Sequence, residues 1–233
     1  MQSYYFTSKL KPSFIFLNFE NYIYHNKKIY MADSKHFNEI FEQSISDYHI
    51  TDDINKNLTN PYSENTLDFL LYKKNWIDTV QWHLEDIIRE PSINPVEALK
   101  IKRKIDKSNQ DRTDLVELID NFFFEEFKII TPKKNAFIAT ETPAWAIDRL
   151  SILNLKIFHM REEAEREDAE SDHKEKCSFK LSILLQQKKD LTTAINQLFL
   201  NITNGNTVIK TYKQMKMYND PNLNPILRAS SKK

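Results

Sequence analysis

The sequence predicts an all-α protein, a single-domain antiparallel helical bundle of about five to six helices with an extended C-terminal strap. Three observations lead there. The 233 residues include one glycine, Gly205, which excludes the glycine-dependent phosphate loops of dinucleotide and nucleotide folds and leaves type I′ hairpins without their usual residues. Apolar residues recur at helical spacing along several long stretches, the pattern of helices with one buried face. Two helix starts are written as a capping residue followed by proline, Asn94-Pro95 and Thr142-Pro143; the cap accepts a free N–H, and proline lacks one where none is needed.

Taken in order, residues 1–30 are aromatic, Asn-rich and without helical period, and they end just before Met31-Ala32-Asp33-Ser34. They are expected to form a non-native or flexible extension, with translation starting at either Met1 or Met31; the helical domain is set at residues 31–227 and a disordered tail at 228–233. Asp33 or Ser34 can cap a first helix carrying Phe37, Ile40, Phe41 and Ile45. A second helix is expected from Ser63 or Asn65 to about Arg89, with Phe69, Trp76, Val80, Leu84 and Ile87 inward. On another side it carries the line Asn75, Thr79, Trp82, Asp86 and Arg89, and an indole within a polar stripe indicates that this side is covered too.

The third helix opens at Asn94-Pro95 and runs through about Phe127. Its apolar face, from Ile101 and Ile105 to Ile119 and Phe123, is interrupted by Ser108, Asn109 and Arg112. A guanidinium left unpaired there costs several kcal/mol or more, so Arg112 must meet Asp86, Asp106, Asp114 or Asp148, a group of carbonyls, or an anionic ligand. The fourth helix, capped by Thr142, turns Ala146, Leu150, Leu153, Ile157 and Met160 to one face and a mixed stripe of Trp145, Asp148, Arg149, Ile152, Lys156, His159 and Glu163 to the other. That mixture places it centrally, packed on one side and facing a polar cavity or a partner on the other. Glu162 to Asp172 is a charge run that reads as a solvated helix end. The last long helix carries Leu181, Leu184, Leu185, Leu191, Ile195, Leu198 and Phe199, with Lys188 projecting into that face and Gly205 as its stop. Residues 210–225 alternate bases, aromatics and turn formers, as a strap does.

Composition removes several functions. The 33 basic residues balance 33 acidic ones, so no global field draws the chain to nucleic acid. No apolar run approaches the ~20 residues of a transmembrane helix, and the protein is expected in the cytoplasm. Cys177 is alone and reads as a core thiol, with no intramolecular disulfide or multi-cysteine zinc site to join. Glu170 and His173 have the Glu-x-x-His spacing of helical di-metal sites, but no second such pair accompanies them, and no metal ligands are assigned. Glu117 and Asp120 match half of a pyrophosphatase-like carboxylate pattern at chance level. No cofactor is specified.

Two functional readings remain. In the first, Arg112, Arg149, Lys156 and Lys188 form an electropositive lining, Trp82 or Trp145 a stacking wall, and Asp86 a neighbouring carboxylate, around a phosphorylated sugar or nucleotide-sugar. Asp148 and His159 are the acid/base candidates should that site be catalytic. In the second, the same Trp and Arg residues form the contact surface of a helical adaptor for a glycosyltransferase or another glycan-pathway partner.

Several separated stretches carry a family resemblance: Asn75 to His83 (NWIDTVQWH), Ile105 to Arg112 (IDKSNQDR), Glu141-Thr142-Pro143 with Ile147 to Leu150 (IDRL), and Met215 to Pro221 (MKMYNDP). Over about His36 to Leu227 the chain resembles the bacterial proteins grouped as domain of unknown function 4254. The resemblance implies an all-helical protein associated with surface-glycan (lipopolysaccharide) assembly. It supplies no catalytic residues.

Overall fold

A computed structural model describes residues 33–215, 217 and 220–230; the expected extension at 1–30, the Met31 start and residues 231–233 lie outside them. The architecture is all-α. Among the described residues the helices are α1 (Ser34–His49), α2 (Leu67–Ile88), α3 (Pro95–Phe127), α4 (Pro143–Glu165), α5 (Ser171–Thr203) and the short α6 (Pro225–Ser230). The last of these crosses the 227/228 boundary at which a tail was expected. No described helix is long and apolar enough to cross a membrane.

Local chemistry sets the helix starts. The Asp33 carboxylate accepts from the Lys35 N–H, the Asn94 side chain from the N–H groups of Val96 and Glu97, and the Thr142 hydroxyl from that of Trp145, each satisfying donors that a helix leaves open. The second helix begins later than its sequence suggests. Asn65 adopts φ 68°, a left-handed conformation that cannot start a right-handed helix, and Thr66 is the cap, accepting from Phe69 N–H.

α4 is central, touching α1, α2, α3 and α5. Phe37, Phe41, Leu71, Trp76, Phe123, Ile147, Leu150 and Phe199 join the principal core. Three expected core residues of α2 lie further out, Phe69 and Val80 partly buried and Ile87 at the surface, while Lys74, Asn75 and Thr79 are fully enclosed. The first half of the polar line of α2, Asn75 and Thr79, is therefore buried along with Trp76 and Leu84, whereas its far end, Asp86 and Arg89, is exposed. Leu185 of α5 is also exposed, whereas Ile195 and Phe199 are buried.

Gly205 ends α5 at φ 69°. Its carbonyl accepts from Lys133 N–H at 2.9 Å, drawing the α3–α4 connection against the end of α5. A two-residue parallel ladder forms there, β1 (Phe137–Ile138) on β2 (Thr207–Val208), where helical periodicity gave no hint of strands.

Candidate functional site

Four charged side chains from three helices meet beneath the surface. Lys74 and Asp78 stand one turn apart on α2, Asp148 comes from α4 and Arg112 from α3. Lys74 is fully enclosed and contacts Asp78 as well as Asp148, the latter at 2.7 Å. Arg112 donates to both oxygens of Asp148, from Nε at 3.1 Å and from Nη2 at 3.2 Å. Of the four carboxylates considered for it, Asp148 is the partner. Ser151 Oγ, one turn along α4, donates to Asp78 at 2.6 Å and accepts from Asn75 Nδ2 at 3.0 Å.

These contacts set the two carboxylates apart. Burial alone would raise Asp148, but the charges and hydrogen bonds of Lys74 and Arg112 hold it below its ordinary value. Burial dominates at Asp78 and, with Asp148 close by, pushes it up against the pull of Lys74. Asp148 is thus a carboxylate committed to two cations.

Arg112 reaches a cleft of about 270 Å³ lined by Asp78, Gln81, Trp82, Glu85, Asp86, Arg89, Ile152 and Leu155. Its side chain is 26 % exposed, and its Nη1 makes no hydrogen bond among the described residues. Gln81 is fixed by Asn109 and Ser108, and Arg89 pairs with Glu85 at 2.6 Å. Trp82 forms a wall and lies parallel to His159, with centroids 4.8 Å apart.

Behind that wall lies a group that sequence reading missed. His49 from the last turn of α1, His83 from α2 and His159 from α4 bring one ring nitrogen each within 4.8 Å of one another. Only the tertiary fold brings together three residues so far apart in the chain.

Apart from Asp86, the remaining expected site residues lie elsewhere. Arg149 is exposed, pairs with Glu141 at 3.2 Å and lines a separate hollow of about 550 Å³ with Phe137, Leu191 and Leu198. Lys156 is exposed, Asp86 lies at the open side of the cleft, and Trp145 is half-buried against the core. Lys188 meets Glu42 of α1. The expected single lining of four cations does not gather in the cleft. Arg149 follows Asp148 by 100° of helical turn and so faces away from α3, Lys156 shares its line seven residues on, and α5 carries Lys188 to α1 instead. His173 bonds Glu163 at 2.8 Å rather than Glu170, and Cys177 Sγ approaches the same His173 nitrogen at 3.4 Å; with one nitrogen serving both partners, no nucleophile relay is formed. Asp120 caps α4, accepting from Thr142 Oγ1 and Ala144 N–H, and Glu117 accepts from Gln214 N–H.

In comparisons with known proteins, the family model described as "Protein of unknown function (DUF4254)" matches residues 68–211, a span holding Trp82, His83, Arg112, Asp148 and His159. No curated protein and no solved structure matches the chain.

Proposed function

The chain belongs to this DUF4254 family, and from that premise we propose that it binds a phosphorylated sugar or nucleotide-sugar in the cleft beside Arg112, in the cytoplasmic phase of surface-glycan assembly. One observation carries the reading. Asp148 clamps one edge of the Arg112 guanidinium, while Nη1 makes no hydrogen bond among the described residues and Arg112 lines a cleft walled by Trp82. A guanidinium fixed in this way offers donors in the geometry a phosphate accepts. The indole supplies a face on which a sugar or base can stack, and Asp86 and Glu85 are acceptors for hydroxyl groups. Asp148 serves as a positioning residue.

Calorimetric titration of the chain with sugar phosphates and nucleotide-sugars tests it. Binding that falls at least ~10-fold in both Trp82→Ala and Arg112→Gln, and is unchanged in Lys188→Ala, supports it. Binding that ignores both cleft substitutions, or no binding by any of these ligands, refutes it.

A second reading, a helical adaptor for a glycosyltransferase, is favoured by Phe179 and Ile183 of α5, one turn apart and 68 % and 44 % exposed. Unpartnered apolar side chains in line suit a contact surface. Co-purification of a glycosyltransferase at one-to-one stoichiometry, abolished by Phe179→Glu, is its test.

A further inference from the structure

We propose that His49, His83 and His159 form a binding site for a divalent transition metal, zinc foremost, with Asp52 beside them as a fourth ligand. The site stands on its own atoms and does not depend on the reading of the cleft, with which it shares only the Trp82 wall.

The hydrogen bonds of two rings dictate which nitrogen is bare. His49 Nδ1 lies 2.7 Å from the carbonyl oxygen of Ile45, which can only accept, so Nδ1 carries the proton and Nε2 of the neutral ring presents a lone pair. His159 Nδ1 lies 2.8 Å from Glu162 Oε2, a carboxylate acceptor, and the same assignment follows. A far nitrogen tied to a carbonyl or a carboxylate is the outer-shell arrangement that orients metal-bound imidazoles.

The spacing suits a small ion. His49 Nε2 and His83 Nε2 are 3.3 Å apart, and a tetrahedral centre with bonds of about 2.0–2.1 Å separates its nitrogen ligands by about 3.4 Å. Asp52 lies at φ 50° just beyond α1, a left-handed conformation that aspartate tolerates better than most residues. It brings Oδ1 to 3.4 Å from His83 Nε2. Asp52 is more than half exposed, which gives an ion a way in.

Without an ion the arrangement leaves a deficit. His83 Nε2–H can donate to His49 Nε2, but His159 Nε2 is then buried with no hydrogen-bond partner among the described residues. A buried, unpartnered ring nitrogen calls for an explanation, and an ion supplies one: it accepts the lone pairs of His49 Nε2 and His159 Nε2 and, with the proton of His83 moved to Nδ1, that of His83 Nε2 as well. Aromatic rings fix the ligands: Tyr48 stacks on His83 at 5.1 Å, Trp82 on His159, and Phe158 lies 4.3 Å from His49. Imidazole donors suit zinc, copper, iron and nickel, and carry no preference for magnesium or calcium.

The test uses the full chain, stripped with chelator and titrated with Co²⁺ and with Zn²⁺. The expected result is one equivalent of metal, the intense visible absorption of four-coordinate Co²⁺, and a raised melting temperature with Zn²⁺. His83→Gln and His159→Gln should each abolish the absorption. Glu162→Gln, a surface change that leaves every ligand in place, should weaken affinity by ~10-fold or more through the His159 ring. Folded protein that shows neither the absorption nor a melting shift overturns the proposal, and so does absorption that persists in both histidine variants.

Discussion

Arg112 and Asp148 form a two-toothed ion pair between α3 and α4, and Lys74 shares the same carboxylate from α2. The pair cannot be dismantled symmetrically. Asp148→Asn leaves Arg112 facing an amide and the enclosed Lys74 with Asp78 as its one carboxylate, and is expected to lower unfolding free energy by ~3–5 kcal/mol. Arg112→Met leaves Asp148 paired with Lys74 and removes a side chain that water already reaches, so its loss should be ~1–2 kcal/mol. Urea denaturation of the two variants measures this ordering; equal losses would mean that Lys74 contributes nothing.

Titration should show Asp148 and Asp78 with opposite signs. Asp148 is held below its ordinary value, so its stabilisation is present above the unfolded pKa near ~3.9 and is lost as pH falls through the lower folded value. Asp78 is raised, so its contribution is full below ~3.9 and is lost as pH rises through the folded value. The advantage of the wild-type chain over Asp148→Asn should therefore shrink on acidification, while its advantage over Asp78→Asn should shrink as pH rises. Denaturation midpoints across a pH series, read against each variant, decide both signs.

These charges mark where sequence reading stopped. The cap-plus-proline starts at Asn94 and Thr142 were legible because their chemistry is local, and the five long helices followed from apolar period. Thr66 was missed because the left-handed turn at Asn65 is invisible to a wheel. The need of Arg112 for a partner was readable, since it broke an apolar face, and Asp148 was among the candidates. Lys74 was not readable, because a lysine on a helix reads as solvated until another helix covers it. The histidine cluster was the least accessible, its members being ordinary residues on three helices whose convergence only packing decides.

Gly205 carries a sharper expectation. At φ 69° an L side chain is strained, and a Cβ would lie 2.9 Å from the Thr131 carbonyl oxygen, which is backbone and cannot swing aside. Gly205→Ala should destabilise by ~1–3 kcal/mol and lower the melting temperature accordingly. An unchanged melting point would show that the α5 end and the 131–133 segment can separate freely.

Thr142 and Asp120 tie the start of α4 to α3, and removing either should do more than lose a cap. The Thr142 hydroxyl accepts from Trp145 N–H and donates to Asp120 Oδ2 at 2.8 Å, while Asp120 Oδ1 takes Ala144 N–H at 3.2 Å. Thr142→Val keeps the shape but leaves one N–H and part of a buried carboxylate unsatisfied, an expected loss of ~2 kcal/mol. Burial, which these two hydrogen bonds only partly offset and Glu117 reinforces, raises the Asp120 pKa. The stability tied to that proton is therefore present below ~3.9 and is lost as pH rises through the folded value. Asp120→Asn removes this titration and keeps an acceptor for one donor, so its penalty should be largest in acid and should narrow as pH rises. Because both substitutions disturb one set of hydrogen bonds, the double variant should lose less than the two single losses added. Additive losses in chemical denaturation would mean that Thr142 and Asp120 act separately and that α4 is positioned by its apolar packing alone.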